Sequence, residues 1–264
     1  MNLQLDKKKV LVTGSTAGIG FAIASVLAVE GASVIVNGRT QQRVDEAVEK
    51  IKGEIPNADI SGIAADLSTV EGAKSVVEFA PEVEILVNNM GIFEPKAFEE
   101  ITDEDWIKFF QANVMSGVRL SRHYLPKMKQ QNWGRIVFIS SESAVQIPAE
   151  MIHYGMTKSA QISISRGLAE MTVGTNITVN SVLPGPTASE GVSTFVGQMA
   201  AEQNISINEM EKQFFETARP SSLLKRFIEP KEIADLVAFV CSPLSLATNG
   251  AALRVEGGVV RSMV

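Results

Sequence analysis

The sequence predicts an α/β fold: a doubly wound, seven-stranded parallel sheet with helices on both faces. Three observations predict it. Short β-branched runs alternate with helix-length amphipathic segments along nearly all of the 264 residues. The runs are apolar throughout, as strands covered on both faces are. A glycine-rich turn joins the first run directly to the first amphipathic segment.

The elements follow in order. Val10-Leu11-Val12 is the first strand, and its helix runs from Ile19 to Glu30. Ser33 to Asn37 is the second strand, with a helix from about Gln41. Ile60 to Ala65 and Val70 to Ala80 are the third pair. Ile85-Leu86-Val87 is the fourth strand. Thr102-Asp103-Glu104-Asp105 supplies an N-cap and early acids that open one long helix. Arg135 to Ile139 is the fifth strand, followed by a helix around Tyr154 to Met171. Ile177 to Val182 and Leu253-Arg254-Val255 complete the set. No repeat, low-complexity stretch or linker divides the chain, so residues 1–264 read as a single domain.

One segment, about 186–228, breaks the alternation. Between Pro184 and Glu229 the chain shows helical patches and no strand. It carries Phe195, Met199, Met210, Phe214 and Phe215. Either it is an extra helical hairpin packed on the sheet, or it is a substrate lid. A lid fits its place beyond a strand's C-terminal end, where open α/β sheets bind ligands. Its Met and Phe content suits a partly apolar substrate, and Ser189 and Glu190 could contact hydroxyls.

Composition narrows the function. The net charge is −6 and no basic run is present, which argues against a nucleic-acid partner. The single cysteine, Cys241, sits in an apolar run and reads as a small buried hydrophobe. No signal-peptide core opens the chain, and no apolar run approaches the ~20 residues of a membrane span. A soluble, cytoplasmic protein with no membrane partner is expected. The two histidines, His123 and His153, belong to no ligand cluster, so no metal site is expected. His153 precedes Tyr154 and either reaches the pocket mouth or is a surface or half-buried neighbour.

The turn Thr13-Gly14-Ser15-Thr16-Ala17-Gly18-Ile19-Gly20 lies between the first strand and its helix. That is the placement of a phosphate-binding turn: glycines allow a tight bend and close approach, and the helix N-terminus offers free N–H groups. The second strand ends at Asn37-Gly38-Arg39, where an acid would bind the ribose of NAD. No acid is present. Arg39 could pair with a 2′-phosphate, which points to NADP over NAD, with NAD still possible; a solvated loop arginine is the plainer reading.

Tyr154 and Lys158 stand four residues apart on a predicted helix, so both side chains project from one face. A nearby cation favours phenolate, which makes a general acid or base without histidine.

With these residues in view, the chain resembles the classical short-chain dehydrogenase/reductase (SDR) family over nearly its whole length. The glycine turn matches T-G-x-x-x-G-x-G. Asn88-Asn89-Met90-Gly91 is similar to N-N-A-G. Asn113 lies in the long helix, Ser141 precedes Tyr154 by 13 residues, and Tyr154 and Lys158 match Y-x-x-x-K. Pro184-Gly185-Pro186-Thr187 is similar to the turn that holds the carboxamide, with Thr187 offset by one position. The resemblance implies a Rossmann-type fold and a hydride transfer between a nicotinamide cofactor and a carbonyl or secondary alcohol. It implies Asn113, Ser141, Tyr154 and Lys158 as catalytic residues: Tyr154 exchanges the proton, Lys158 lowers its pKa, Ser141 polarises the carbonyl and Asn113 holds a water. It implies that Gly14, Ser15, Thr16, Gly18, Ile19, Gly20, Arg39, Asp66, Leu67, Asn88, Gly91, Pro184, Gly185 and Thr187, with Tyr154 and Lys158, contact the cofactor. Asp66 could equally be a turn residue, and Met90 packing. A homotetramer is implied, formed through helices around 103–130 and 150–173 and the apolar C-terminal strand. The substrate is not named by the family. A β-ketoacyl-acyl-carrier-protein reductase is one alternative; Lys127 and Lys129 would suit its docking, while Gly174-Thr175-Asn176 lacks the usual arginine. A non-catalytic NADP-binding sensor or scaffold is another.

Overall fold

The computed structural model describes residues 1–263; Val264 lies outside the described residues, as does the side chain of Phe195. The Phe195 side chain of the strand-free segment and the last residue of the apolar C-terminus therefore fall outside them.

Among the described residues seven strands form one parallel sheet in the order β3-β2-β1-β4-β5-β6-β7. They are β1 (Lys9–Val12), β2 (Ser33–Gly38), β3 (Ile60–Ala64), β4 (Ile85–Asn88), β5 (Gly134–Ile139), β6 (Ile177–Pro184) and β7 (Ala252–Val255). The helices are α1 (Gly18–Val29), α2 (Gln41–Glu54), α3 (Val70–Phe79), α4 (Asp103–Phe110), α5 (Ser116–Gln131), α6 (Ile152–Glu170), α7 (Glu190–Gln203), α8 (Ile207–Thr217) and α9 (Pro230–Cys241). The chain winds outward from β1 in both directions. Val12 pairs with Val36 on one side and with Val87 on the other. The strand order thus reverses between β1 and β4, and a crevice opens above their C-terminal ends.

Period-two alternation splits each strand between two cores. Val10, Val12, Ile85, Val87, Val137 and Ile139 face α1 and α9. Leu11, Leu86, Ile136 and Phe138 face the other way, toward α3, α5 and α6. Both faces are therefore apolar, which is why the strands read as continuous hydrophobic runs.

The long helix expected from Thr102 is interrupted. Thr102 and Asp105 form the capping box that opens α4. A π-helical turn, Gln111–Met115, then separates α4 from α5. Its cause is local. Asn113 Oδ1 accepts from the Ile92 backbone N–H at 2.7 Å, and its Nδ2 donates to the Ile92 carbonyl and to Thr157 Oγ1, both at 3.0 Å. The Asn113 carbonyl takes a bond from Gln161 Nε2. These bonds replace regular helical pairing over one turn.

The strand-free segment folds as α7 and α8 around a small core of its own. Val196, Ala200, Met210, Phe215 and Phe227 are buried there. Met210 and Phe215 are each 2% exposed. Thr187 and Ile228 form a single parallel bridge at the base of this hairpin.

Candidate active site

At the carboxyl ends of β1 and β4 the glycine turn enters α1. Gly14 and Gly18 have φ of 59° and 57°, a left-handed backbone that a side chain would strain. Ala17 offers no side-chain cap to α1, and the first turn holds no acid. The first N–H groups of α1 are free for an anion. Side chains divide along the turn. Ser15 is fully buried; its Oγ donates to Val12 O at 2.6 Å and accepts from Asn37 N at 3.0 Å. Ser15 therefore ties β1 to β2, and its backbone N–H is also spent, on Asn37 O at 2.8 Å. Thr16 lies against Gly38, so Arg39, exposed at the next position, stands beside the turn.

A cavity of about 460 Å³ opens next to this turn. Ser141, Tyr154 and Lys158 line it, with Ile19, Gly91 and the Pro184–Thr187 turn. Tyr154 and Lys158 come from one face of α6, and Lys158 Nζ is 5.6 Å from the centre of the Tyr154 ring. Ser141 follows β5. Its neighbour Ser140 turns inward and donates to the Lys158 carbonyl at 2.8 Å, which locks α6 against the strand end. Thr187 is buried and donates to Gly185 O at 2.8 Å, which closes the turn despite its offset spacing.

The electrostatics differ from expectation on one point. Lys158 was expected to lower the tyrosine pKa. Burial instead pushes the Tyr154 phenol above its ordinary value, and the Glu142 carboxylate adds to the rise; Ser141 and Arg219 pull the other way. Burial also pushes Lys158 down to about 7. Lys158 is not among the groups that shift the phenol, and desolvation governs both residues.

The remaining candidates divide between the cavity and the surrounding structure. The Asn88 side chain turns toward α5, where Nδ2 donates to Ser121 Oγ at 3.3 Å. Asn89 lines the cavity in its place and binds Thr13 O and Gly14 O, both at 2.9 Å. Asp66 forms a turn, accepting from Ser68 N and Ser68 Oγ. The Leu67 side chain is fully buried in the core, so only its backbone could touch adenine. Met90 packs on the core rather than lining the cavity. His153 is neither at the pocket mouth nor at the surface. It is 1% exposed and stacks on Phe109 at 4.1 Å, and burial lowers its pKa. Ser189 lines the cavity and caps α7. Glu190 faces outward and pairs with Arg43 at 2.9 Å, linking the start of α7 to α2.

Two cavity residues have no counterpart among the sequence candidates. Glu142 is buried beside Ser141; its Oε2 accepts from Ser141 Oγ at 2.5 Å and from Ser143 N and Oγ. Arg219, after α8, donates from Nε to Glu142 Oε1 at 3.0 Å. The acid in Ser140-Ser141-Glu142-Ser143 was a signal for the first. Nothing local marks Arg219, which arrives from 77 positions away.

Comparison with known proteins agrees with this architecture. The family model described as short chain dehydrogenase matches residues 8–200. The chain is 50% identical over 263 residues to the uncharacterized oxidoreductase YvaG of Bacillus subtilis, covering 100% of both chains. It is 32% identical to the 3-oxoacyl-[acyl-carrier-protein] reductase FabG of Aquifex aeolicus, covering 98% of this chain and 100% of that one. Among solved structures it is similar to the L-sorbose reductase of Gluconobacter frateurii complexed with NADPH and L-sorbose. There the TM-score is 0.94 with 30% identity, and 100% of both chains is covered. No described helix is long and apolar enough to cross a membrane. With its sheet order, its glycine turn and its tyrosine–lysine pair in one cavity, the chain belongs to the short-chain dehydrogenase/reductase family of oxidoreductases.

Proposed function

We propose that this chain is an NADP-dependent carbonyl reductase, working reversibly as a secondary-alcohol dehydrogenase, with Tyr154 as the proton donor and acceptor. One observation carries the reading: Ser141, Tyr154 and Lys158 converge on a single cavity that adjoins an uncapped, acid-free helix N-terminus. The residues fit a dinucleotide. The unclaimed N–H groups of α1 suit a pyrophosphate, Gly20 leaves space a side chain could not share with Gly14 O, and Arg39 suits a 2′-phosphate. NADPH in the solved L-sorbose reductase supports the same cofactor here, with NAD possible.

The bound nicotinamide supplies or accepts the hydride. The remaining work falls to the chain. Tyr154, protonated at neutral pH as any phenol is and held further toward its acid form by burial, gives its proton to the substrate oxygen in reduction and recovers it in oxidation. Ser141 lies beside it to stabilise charge on that oxygen, once its hydroxyl turns from Glu142. Lys158, with a pKa near 7, is suited to hold the nicotinamide ribose and relay a proton. Asn113 fixes the wall beside Lys158 by pinning the π turn to Ile92. Pro184, Gly185 and Thr187 are suited to the carboxamide side. The segment 186–228 serves as the substrate lid, since Val192, Val196, Met199 and Phe214 form one apolar wall of the cavity.

The test is oxidation of NADPH with a panel of diketones, ketoacyl thioesters and keto sugars. Turnover of at least one class is expected; binding of NADPH without turnover of any would favour a sensor. A dominant rate with a ketoacyl thioester would favour the acyl-carrier-protein reductase reading, which the 32% identity to FabG supports. A homotetramer is part of the proposal. Ile107 on α4, and Met171 and Val173 just after α6, are exposed apolar residues that suit helix-to-helix contact. Sedimentation at micromolar concentration checks it, and a monomer would refute it.

A further inference from the structure

Arg219 is only 8% exposed, yet its guanidinium lines the same cavity as Ser141 and Tyr154. A guanidinium carries five N–H donors. Nε is spent on Glu142 Oε1 at 3.0 Å. Nη1 is spent on Ala218 O at 2.9 Å and Glu150 Oε1 at 3.4 Å. Nη2 makes no hydrogen bond among the described residues. Two donors of this largely buried residue therefore have no protein partner, and Nη2 is not sealed from solvent, so they are open to a ligand in the cavity that Arg219 lines. A ligand oxygen that accepts from them gains a charge-assisted hydrogen bond.

The surrounding charges define that oxygen. Glu142 and Glu150 already flank the single guanidinium, so a substrate carboxylate would add a third negative charge to one positive one. A neutral oxygen avoids this repulsion. Glu142 has no room for a further donor, because Oε2 already takes Ser141 Oγ, Ser143 N and Ser143 Oγ. Glu150 is half exposed and can accept one more bond. An oxygen that accepts from Arg219 and donates to Glu150 is a hydroxyl. Its distance from the reacting centre is short, since Ser141, Glu142 and Arg219 form one chain of direct contacts. The opposite wall, with Val192, Val196, Met199 and Phe214, takes an apolar remainder.

We propose that Arg219 is a specificity-determining residue that binds a neutral hydroxyl of the substrate a few bonds from the carbonyl. The substrate class is then the hydroxyketones and, in reverse, the corresponding diols, in preference to keto acids and plain ketones. This rests on the carbonyl-reductase reading above and deepens it.

The test compares matched ketones with NADPH: hydroxyketones with the hydroxyl two to four carbons from the carbonyl, their methyl isosteres, and keto acids of the same length. The quantity read is the ratio of kcat/KM between hydroxyketone and isostere, which cancels any loss common to both. The wild type should favour the hydroxyketone by about ten-fold or more, and reject the keto acid. Arg219→Gln should bring the ratio near unity, mainly through KM. The double variant Glu142→Gln with Arg219→Gln should do the same while removing both buried charges together. If Arg219→Gln does not fold, Arg219→Lys reads the ratio, since it keeps a charge for Glu142 but loses the forked donors. A ratio that survives these changes, or a wild type that prefers the keto acid, overturns the assignment while leaving carbonyl reduction intact. No turnover of any ketone overturns both.

Discussion

Lys158 Nζ donates to the Ile139 carbonyl at 2.8 Å, and this is the single hydrogen bond its ammonium makes among the described residues. The amine is thus buried without a carboxylate, and its pKa falls to about 7. An unfolded lysine titrates near 10.5. Between those values the unfolded chain binds more protons than the folded one, so stability rises with pH across that window. Below about pH 7 the full cost of burying the charge is felt. Lys158→Met should therefore unfold at a higher temperature than wild type at neutral pH, by about 1–3 kcal/mol after the lost hydrogen bond is discounted. The gap should narrow as pH rises, by up to about 1.4 kcal/mol per unit, and close at about pH 8–9. Thermal melts of both proteins across pH check this, and an equal or lower melting temperature for the variant at pH 7 would contradict it.

The raised Tyr154 pKa has a directional consequence. The phenol is in its acid form through neutral pH, ready for reduction. Oxidation needs the phenolate. The kcat/KM for alcohol oxidation should climb steadily as pH rises above neutral, while that for reduction holds level and then declines. Initial rates in both directions over a pH series check it. Oxidation that is independent of pH from neutral upward would remove this assignment.

Asn113 spends its whole amide on the Ile92 backbone and Thr157. Asn113→Ala leaves partly buried backbone groups of Ile92 without their protein partner, at up to about 1–3 kcal/mol for each unsatisfied group. The melting temperature should drop by roughly 5–10 °C. The π turn should also lose its anchor, and activity should fall by more than the stability loss alone explains. A variant as stable and active as wild type would show that the π turn needs no such anchor.

Arg39 is exposed beside the glycine turn with no hydrogen-bond partner among the described residues. Arg39→Ala should weaken NADPH binding about ten-fold, because one charge-assisted contact to a phosphate is lost. NADH binding should change little. Titration of both cofactors by fluorescence distinguishes the cases, and equal effects on the two would reverse the NADP assignment.

The fold was legible because its signals are local. Apolar β-branched runs such as Arg135 to Ile139, and the Thr102 cap, announce themselves within a few residues. The tyrosine–lysine pair was legible for the same reason, since helical spacing alone puts both side chains on one face. What stayed hidden depends on long-range contact. The π turn at Asn113 needs Ile92 and Gln161, which lie in other elements. Strand-end orientation decided Asn89 over Asn88, and one residue of register separates them. His153 read as a pocket-mouth residue or a surface or half-buried neighbour, but one step along a helix turns a side chain by about 100°, and it is buried on Phe109 instead. Glu142 and Arg219 meet only when the segment after α8 folds back over β5. The sign of the tyrosine shift was missed because spacing reports which charges are near and says nothing of how much water is excluded.

The most direct measurement is NADPH consumption by Tyr154→Phe alongside NADPH affinity for the same protein. Turnover of any ketone accepted by the wild type should fall by about a hundred- to ten-thousand-fold, while cofactor affinity stays within about three-fold of wild type. Tyr154→Phe that reduces ketones at a rate comparable to wild type would contradict the central role given to this phenol.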